Sequence, residues 1–114
     1  ISESITILKK TIPWTKKIIV EAETPAQAKE AVEAGADGVL LDEMSIQTIE
    51  KLVPELRQLS KKNYSKHVSQ NIVIEVSGIN PKNLSDYVFT GIDLISTSAP
   101  ITKSKWIDFS MRFD

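Results

Sequence analysis

Cysteine is absent from this 114-residue chain, which excludes disulfides and thiolate metal sites. An excess of basic charge is missing too. Fourteen Lys and Arg stand against 15 Asp and Glu, for a formal net charge of -1, so nothing points to nucleic acid as a partner. No apolar run approaches the ~20 residues needed to span a bilayer, and no membrane contact is expected. The chain opens on Ile1 rather than Met, and no basic segment followed by an apolar one precedes the first periodic stretch, so no targeting peptide is expected. A cytoplasmic location is the default, and the length supports one core: a single domain or part of one.

Four short apolar runs are present: Ile18-Ile19-Val20, Gly38-Val39-Leu40-Leu41, Ile72-Val73-Ile74 and Leu94-Ile95-Ser96. Each reads as a strand. Their β-branched residues run continuously rather than alternating, as expected of parallel strands with helices on both sheet faces.

Helical patterns lie between them. Thr24 suits an N-cap, Pro25 the first helical position and Gln27 the third position of a capping box; Ala28, Ala31 and Val32 form the apolar stripe, and Gly35 ends it. Ser45 caps a second pattern through Ile46, Ile49, Leu52, Val53, Leu56 and Leu59, in which Pro54 should kink or restart the helix. A third runs from Asn80 and Pro81 through Leu84, Tyr87 and Val88 to Gly91, while Glu3 to Lys10 reads as an additional helix. The polar, basic stretch from Ser60 to His67 is the best loop candidate.

An ungapped internal repeat ties these elements together. Thr24 overlays Asn80 at an offset of 80 - 24 = 56, and Pro25, Val32, Gly35 and Asp37 then meet the identical residues Pro81, Val88, Gly91 and Asp93. Duplicated βα units follow. The fold class is therefore α/β, a parallel βα-repeat, of the kind found in barrels and in open parallel sheets.

The same offset carries Glu21 onto Ser77 and Asp42 onto Ser98, all four where an apolar strand gives way to a loop. Ligands of parallel α/β folds bind at the carboxyl ends of strands, so these four are the candidate site. Two carboxylates from adjacent strands can bind ribose hydroxyls, hold Mg²⁺ or favour a developing cation. The small pairs Ser77-Gly78 and Ser98-Ala99 allow backbone to approach a phosphate, with Lys103 to supply charge. A phosphorylated sugar satisfies both halves. His67, the single histidine, reads as a solvated loop residue, and Trp14 and Trp106 as packing residues.

The segments Ile19-Val20-Glu21-Ala22-Glu23, Leu40-Leu41-Asp42-Glu43-Met44-Ser45, Glu75-Val76-Ser77-Gly78, Thr90-Gly91-Ile92-Asp93-Leu94-Ile95-Ser96 and Ile107-Asp108-Phe109-Ser110-Met111-Arg112-Phe113 resemble, in order, the quinolinate phosphoribosyltransferase family, also called nicotinate-nucleotide pyrophosphorylase. The resemblance implies a barrel domain in which Glu21 and Asp42, 42 - 21 = 21 residues apart, lie beside the ribose and Mg²⁺. It also implies that Ser77 and Gly78 bind phosphate, as do Ser98, Ala99 and Lys103, although Ser98 stands where the family usually has Gly. Two further departures concern the family's Asn after the catalytic Asp, which is Glu43 here and adds charge beside the metal or ribose, and its Ser-Gly-Gly type loop, which is one residue short at Ser77-Gly78-Ile79.

The reaction implied joins quinolinate to phosphoribosyl pyrophosphate, giving nicotinate mononucleotide, pyrophosphate and CO2 in NAD biosynthesis. Residues 1–114 then correspond to the C-terminal portion of the barrel domain, a partial, or half, α/β barrel, with an N-terminal domain and the first barrel strands outside them. The complete protein is expected to be a homodimer or higher homo-oligomer, and this chain alone inactive. Other phosphate-binding βα-barrel enzymes, a molybdenum-transport relative and a non-enzymatic half-barrel assembly module share parts of the pattern and stay open at this point.

Overall fold

The computed structural model describes residues 1–13, 16–63, 71–79, 81–97 and 110–112. Its elements are α1 (Ser2–Thr11), β1 (Ile19–Ala22), α2 (Pro25–Glu33), β2 (Gly38–Asp42), α3 (Ile46–Asn63), β3 (Val73–Ile79), a short helical segment containing α4 (Leu84–Tyr87), β4 (Leu94–Thr97) and β5 (Ser110–Arg112). The strands form one open sheet in the order β4-β3-β2-β1-β5, and every neighbouring pair is parallel. The four expected strands are present. The fifth, β5, lies beside β1 with Ser110 opposite Ile19, and no apolar run announces it.

Local sequence determines α2 most directly. The Thr24 hydroxyl accepts from the Gln27 N–H at 3.2 Å, and the Gln27 side chain accepts from the Thr24 N–H, completing the capping box behind Pro25. Ala28, Ala31 and Val32 are buried, and Gly35 follows in the left-handed region at φ 91°. Thr24→Ala is expected to cost about 1 kcal/mol; a urea melt of the variant reads it, and an unshifted midpoint would show that tertiary packing alone holds α2. The start of α1 has no side-chain cap of its own. Glu30 of α2 supplies one, accepting from the Ser2 N–H at 3.1 Å. That hydrogen bond, ahead of the nearby amino terminus, holds the Glu30 carboxyl below the usual carboxylate range.

Ser45 caps α3 as expected, its hydroxyl accepting from the Thr48 N–H at 3.2 Å. The helix then runs from Ile46 through Pro54 to Asn63 without the restart that the proline could have imposed. Ile49, Leu52, Val53 and Leu56 are buried on both sides of the proline, and burying four large apolar side chains outweighs the roughly 3 kcal/mol that an internal proline costs. Ser60 to Asn63 consequently belong to the helix rather than to a loop, with Ser60 itself buried. The third expected helix departs the other way. It breaks into a 3-10 turn at Pro81–Asn83, one α-turn at Leu84–Tyr87 and a second 3-10 turn at Val88–Thr90. The repeat aligns this stretch with α2, but Asn83, Ser85, Asp86 and Thr90 are weak helix formers where the first copy has Gln27, Lys29, Glu30 and Ala34.

The helices lie in one layer, α1 against α2 and α2 against α3. Burial along the strands therefore alternates instead of being continuous. Val20, Ala22, Val39, Leu41, Ile74 and Val76 are buried beneath the helices, whereas Ile19, Glu21, Leu40, Asp42, Glu75 and Ser77 line the other face half-buried. That face carries the polar residues.

The internal repeat is visible as duplicated hydrogen bonding. The Asp37 carboxylate accepts from the Ile18 N–H at 2.8 Å while the Asp37 N–H donates to the Ile18 carbonyl at 2.8 Å. Fifty-six residues on, Asp93 does the same with Ile74, at 2.8 and 2.9 Å. Ile19 opposite Gly38 likewise becomes Glu75 opposite Leu94. Arg57 of α3 reinforces the second copy, donating to the Ile72 carbonyl and, at 2.9 Å each, to the Gly91 carbonyl and the Asp93 carboxylate. No helix among the described residues is long and apolar enough to cross a membrane.

Candidate functional site

Glu21 is the third residue of β1 and Asp42 the last of β2, and parallel pairing sets both toward the carboxyl-terminal edge of the sheet. Strand periodicity puts them on the half-buried face. Glu23, two residues beyond Glu21, continues that face past the end of β1. One carboxylate oxygen from each of Glu21, Glu23 and Asp42 lies within 4.8 Å of the other two. Three carboxyl groups this close repel one another unless a cation or a donor intervenes. Glu21 and Asp42 were expected here; Glu23 was not, although its spacing from Glu21 is the spacing of a shared strand face.

The third strand joins the group through Ser77. It sits opposite Asp42 in the register of β2 and β3, and its hydroxyl donates to Asp42 Oδ1 at 2.6 Å. Phosphate contact by that hydroxyl would require it to rotate away from Asp42. Gly78 follows at φ 73°, and β3 continues to Ile79 with a register irregularity after Val76. The segment that reads as a shortened loop thus lies within the irregular end of a strand. Ser98, Ala99 and Lys103 lie outside the described residues, as do His67, Trp14 and Trp106.

Glu43 is not a member of the three-carboxylate group. Its backbone is left-handed at φ 51°, its N–H donates to the Ser77 carbonyl at 3.4 Å, and its side chain lies over Gly78. A further acidic residue, Glu75 of β3, occupies the polar face and accepts from the Ser96 hydroxyl of β4. The strand periods that place it were obscured because the apolar run in this part of the chain ends at Ile74.

The donor set suits a hard divalent cation such as Mg²⁺, which takes one or two protein carboxylates and keeps positions for water and substrate oxygens. Cysteine and histidine ligands are absent from the group, so it does not resemble a structural zinc site.

Residues 1–112 match the family described as quinolinate phosphoribosyl transferase, C-terminal domain. A probable nicotinate-nucleotide pyrophosphorylase [carboxylating] of Methanothermobacter thermautotrophicus is 35% identical over 113 residues, covering 98% of this chain and 38% of that protein. Its counterpart in Synechocystis is 33% identical, again over 98% of this chain and 35% of its own length. The solved structure of the nicotinate-nucleotide pyrophosphorylase from Francisella tularensis superposes with a TM-score of 0.68 at 28% identity, over 85% of this chain and 31% of that one. The chain spans little more than a third of the length of these curated relatives. Matched along nearly its whole length, it belongs to the quinolinate phosphoribosyltransferase family and corresponds to the C-terminal domain of that family.

Proposed function

We propose that this chain is the C-terminal part of a phosphoribosyltransferase domain that converts quinolinate and phosphoribosyl pyrophosphate to nicotinate mononucleotide, pyrophosphate and CO2. The observation that carries the proposal is the meeting of Glu21 and Asp42 at the carboxyl ends of adjacent parallel strands, in a chain of this family.

Departure of pyrophosphate leaves positive charge on the ribose carbon. Carboxylates fixed beside that carbon favour the charge as it develops, and because the strands already hold them, no reorganisation is needed at the moment of reaction. Glu21 and Asp42 have that role, and Glu23 adds to the negative field from the exposed rim. Ser77 keeps the Asp42 carboxylate oriented through its 2.6 Å hydrogen bond. Asp42 and Glu21 are the residues that would hold Mg²⁺, which would supply positive charge to offset the charge of the leaving pyrophosphate. The Ser77-Gly78 segment, with Ser98, Ala99 and Lys103, receives the phosphate.

The groups that orient quinolinate belong to a part of the protein outside this chain, and in a homo-oligomer a second subunit can supply them. Without them the entropic advantage of bound, aligned reactants is lost, so residues 1–114 alone are inactive. A cytoplasmic location agrees with soluble substrates of this kind. The test is CO2 release from labelled quinolinate by the complete protein, with and without phosphoribosyl pyrophosphate and Mg²⁺. Release that needs all three components supports the proposal. A folded complete protein that releases none, or releases CO2 without phosphoribosyl pyrophosphate, would sink it.

A further inference from the structure

Only Glu43 and Met44 separate the end of β2 from Ser45, the cap of α3. Both neighbours are fixed: Asp42 is paired in the sheet, and Met44 is buried. Within this short connection Glu43 leaves the ordinary backbone regions, at φ 51°. It is the single described residue other than glycine with positive φ. Glu is poorly suited to this conformation, which favours Gly and then Asn. Its side chain is exposed, so no burial of the carboxylate holds it there.

What faces Glu43 is the end of β3. The Glu43 N–H reaches the Ser77 carbonyl at 3.4 Å, and the Ser77 hydroxyl returns to Asp42 at 2.6 Å. A Cβ on Gly78 would lie 2.8 Å from Glu43 Cγ, 3.3 Å from Glu43 N and 3.4 Å from Glu43 Cα. Gly78 is itself left-handed at φ 73°. Two unusual backbone positions on neighbouring strand ends are therefore fitted to each other, and the hydrogen bond that orients Asp42 runs between them.

We propose that Glu43 is a positioning residue that acts through its left-handed backbone rather than its carboxylate: locked against Gly78, it fixes the distance between Asp42 and Ser77 and so joins the carboxylate site after β2 to the Ser-Gly segment after β3. The catalytic consequence rests on the transferase function proposed above; the lock itself does not.

Four substitutions in the complete protein separate backbone from charge. Glu43→Gly and Glu43→Asn remove the carboxylate and accept the left-handed region, Glu43→Gln removes charge at nearly constant shape, and Glu43→Val rejects the conformation because its Cβ is branched. Two readouts are taken. The first is the amide NMR shifts of Asp42, Ser77 and Gly78 in ligand-free protein. The second is kcat for quinolinate-dependent CO2 release. Gly, Asn and Gln are expected to keep the shifts and to hold kcat within about twofold, whereas Val moves the Ser77 and Gly78 resonances and lowers kcat by about tenfold or more, since small misplacements at a reacting centre are costly. Combining Glu43→Val with Ser77→Ala should lower kcat no further than the worse single variant, because both act through Asp42. If Glu43→Val fails to fold, Gly78→Ala reads the same lock from the opposite strand, through the Asp42 and Glu43 amides. Equal losses in Gly, Asn, Gln and Val would assign the role to the carboxylate and overturn the proposal, as would a Val variant with unchanged shifts. A complete protein without quinolinate turnover removes the transferase reading, while the ligand-free shifts still decide the lock.

Discussion

On the transferase function proposed above, Asp42→Ala in the complete protein should lower kcat for phosphoribosyl transfer by about a hundred- to a thousandfold, with Glu21→Ala close behind, since removing a preorganised group aimed at developing charge has effects of this size. The loss should fall mainly on kcat. Charge appears on the ribose carbon only as pyrophosphate departs, so a group that answers that charge contributes more in the transition state than in the substrate complex. Asp42 is expected to matter most because it serves two contacts at once: Oδ1 accepts from Ser77, and the carboxylate also faces Glu21 and Glu23. Asp42→Asn separates these. The amide oxygen still accepts from Ser77, so the strand ends stay in register, but the negative charge is gone. If charge is what counts, Asn falls nearly as far as Ala. An Asn variant with close to wild-type kcat would reduce Asp42 to a structural hydrogen-bond acceptor and undo the mechanism.

Features encoded locally were legible in the sequence. The capping box at Thr24 and Gln27 uses residues three apart and formed as expected, and Ser45 capped α3. The repeat sets Asp37 and Asp93 at equivalent positions, and they make equivalent bonds. The placement of Glu21 and Asp42 at one sheet edge follows from each ending an apolar run on adjacent parallel strands. Features that depend on partners distant in sequence were not. The three residues of β5 carry no periodic signal, and only the edge of β1 makes them a strand. The unbroken passage of α3 through Pro54 depends on how much its flanking residues bury, which local propensity does not report. Helices on one sheet face instead of two changed the burial pattern from continuous to alternating. Glu43 was read as added charge, because residue type shows a carboxylate and says nothing of φ; its placement over Gly78 appears only when β2 and β3 are paired.

The duplicated aspartates carry the other large effect, and it should fall on stability. Asp93→Ala is expected to cost about 2–3 kcal/mol, and Asp37→Ala slightly less, read as shifts in urea midpoint at constant m. Alanine keeps the backbone N–H that donates to Ile74 or Ile18 but strips the carboxylate that accepts from the same residue, leaving a part-buried N–H without its partner. At Asp93 the Arg57 guanidinium also loses its 2.9 Å ion pair. That pair is partly exposed and adds less than about 1 kcal/mol, so the backbone contact dominates the difference from wild type. Lys17, 3.9 Å from Asp37 and largely exposed, adds little there. Asparagine keeps an acceptor oxygen, and Asp93→Asn should recover about half of the loss. Ala and Asn variants of equal stability would show that the acceptor does not matter. Ile18 and Ile74 lie at or near the amino-terminal ends of β1 and β3, opposite the edge that holds Glu21, Asp42 and Ser77. The two ends of these strands should therefore answer separately: the aspartate variants shift the midpoint while kcat per folded molecule stays near wild type, whereas Asp42→Asn lowers kcat with little change in midpoint. Correlated losses of stability and kcat in the aspartate variants would mean that the two ends are mechanically coupled through the strands.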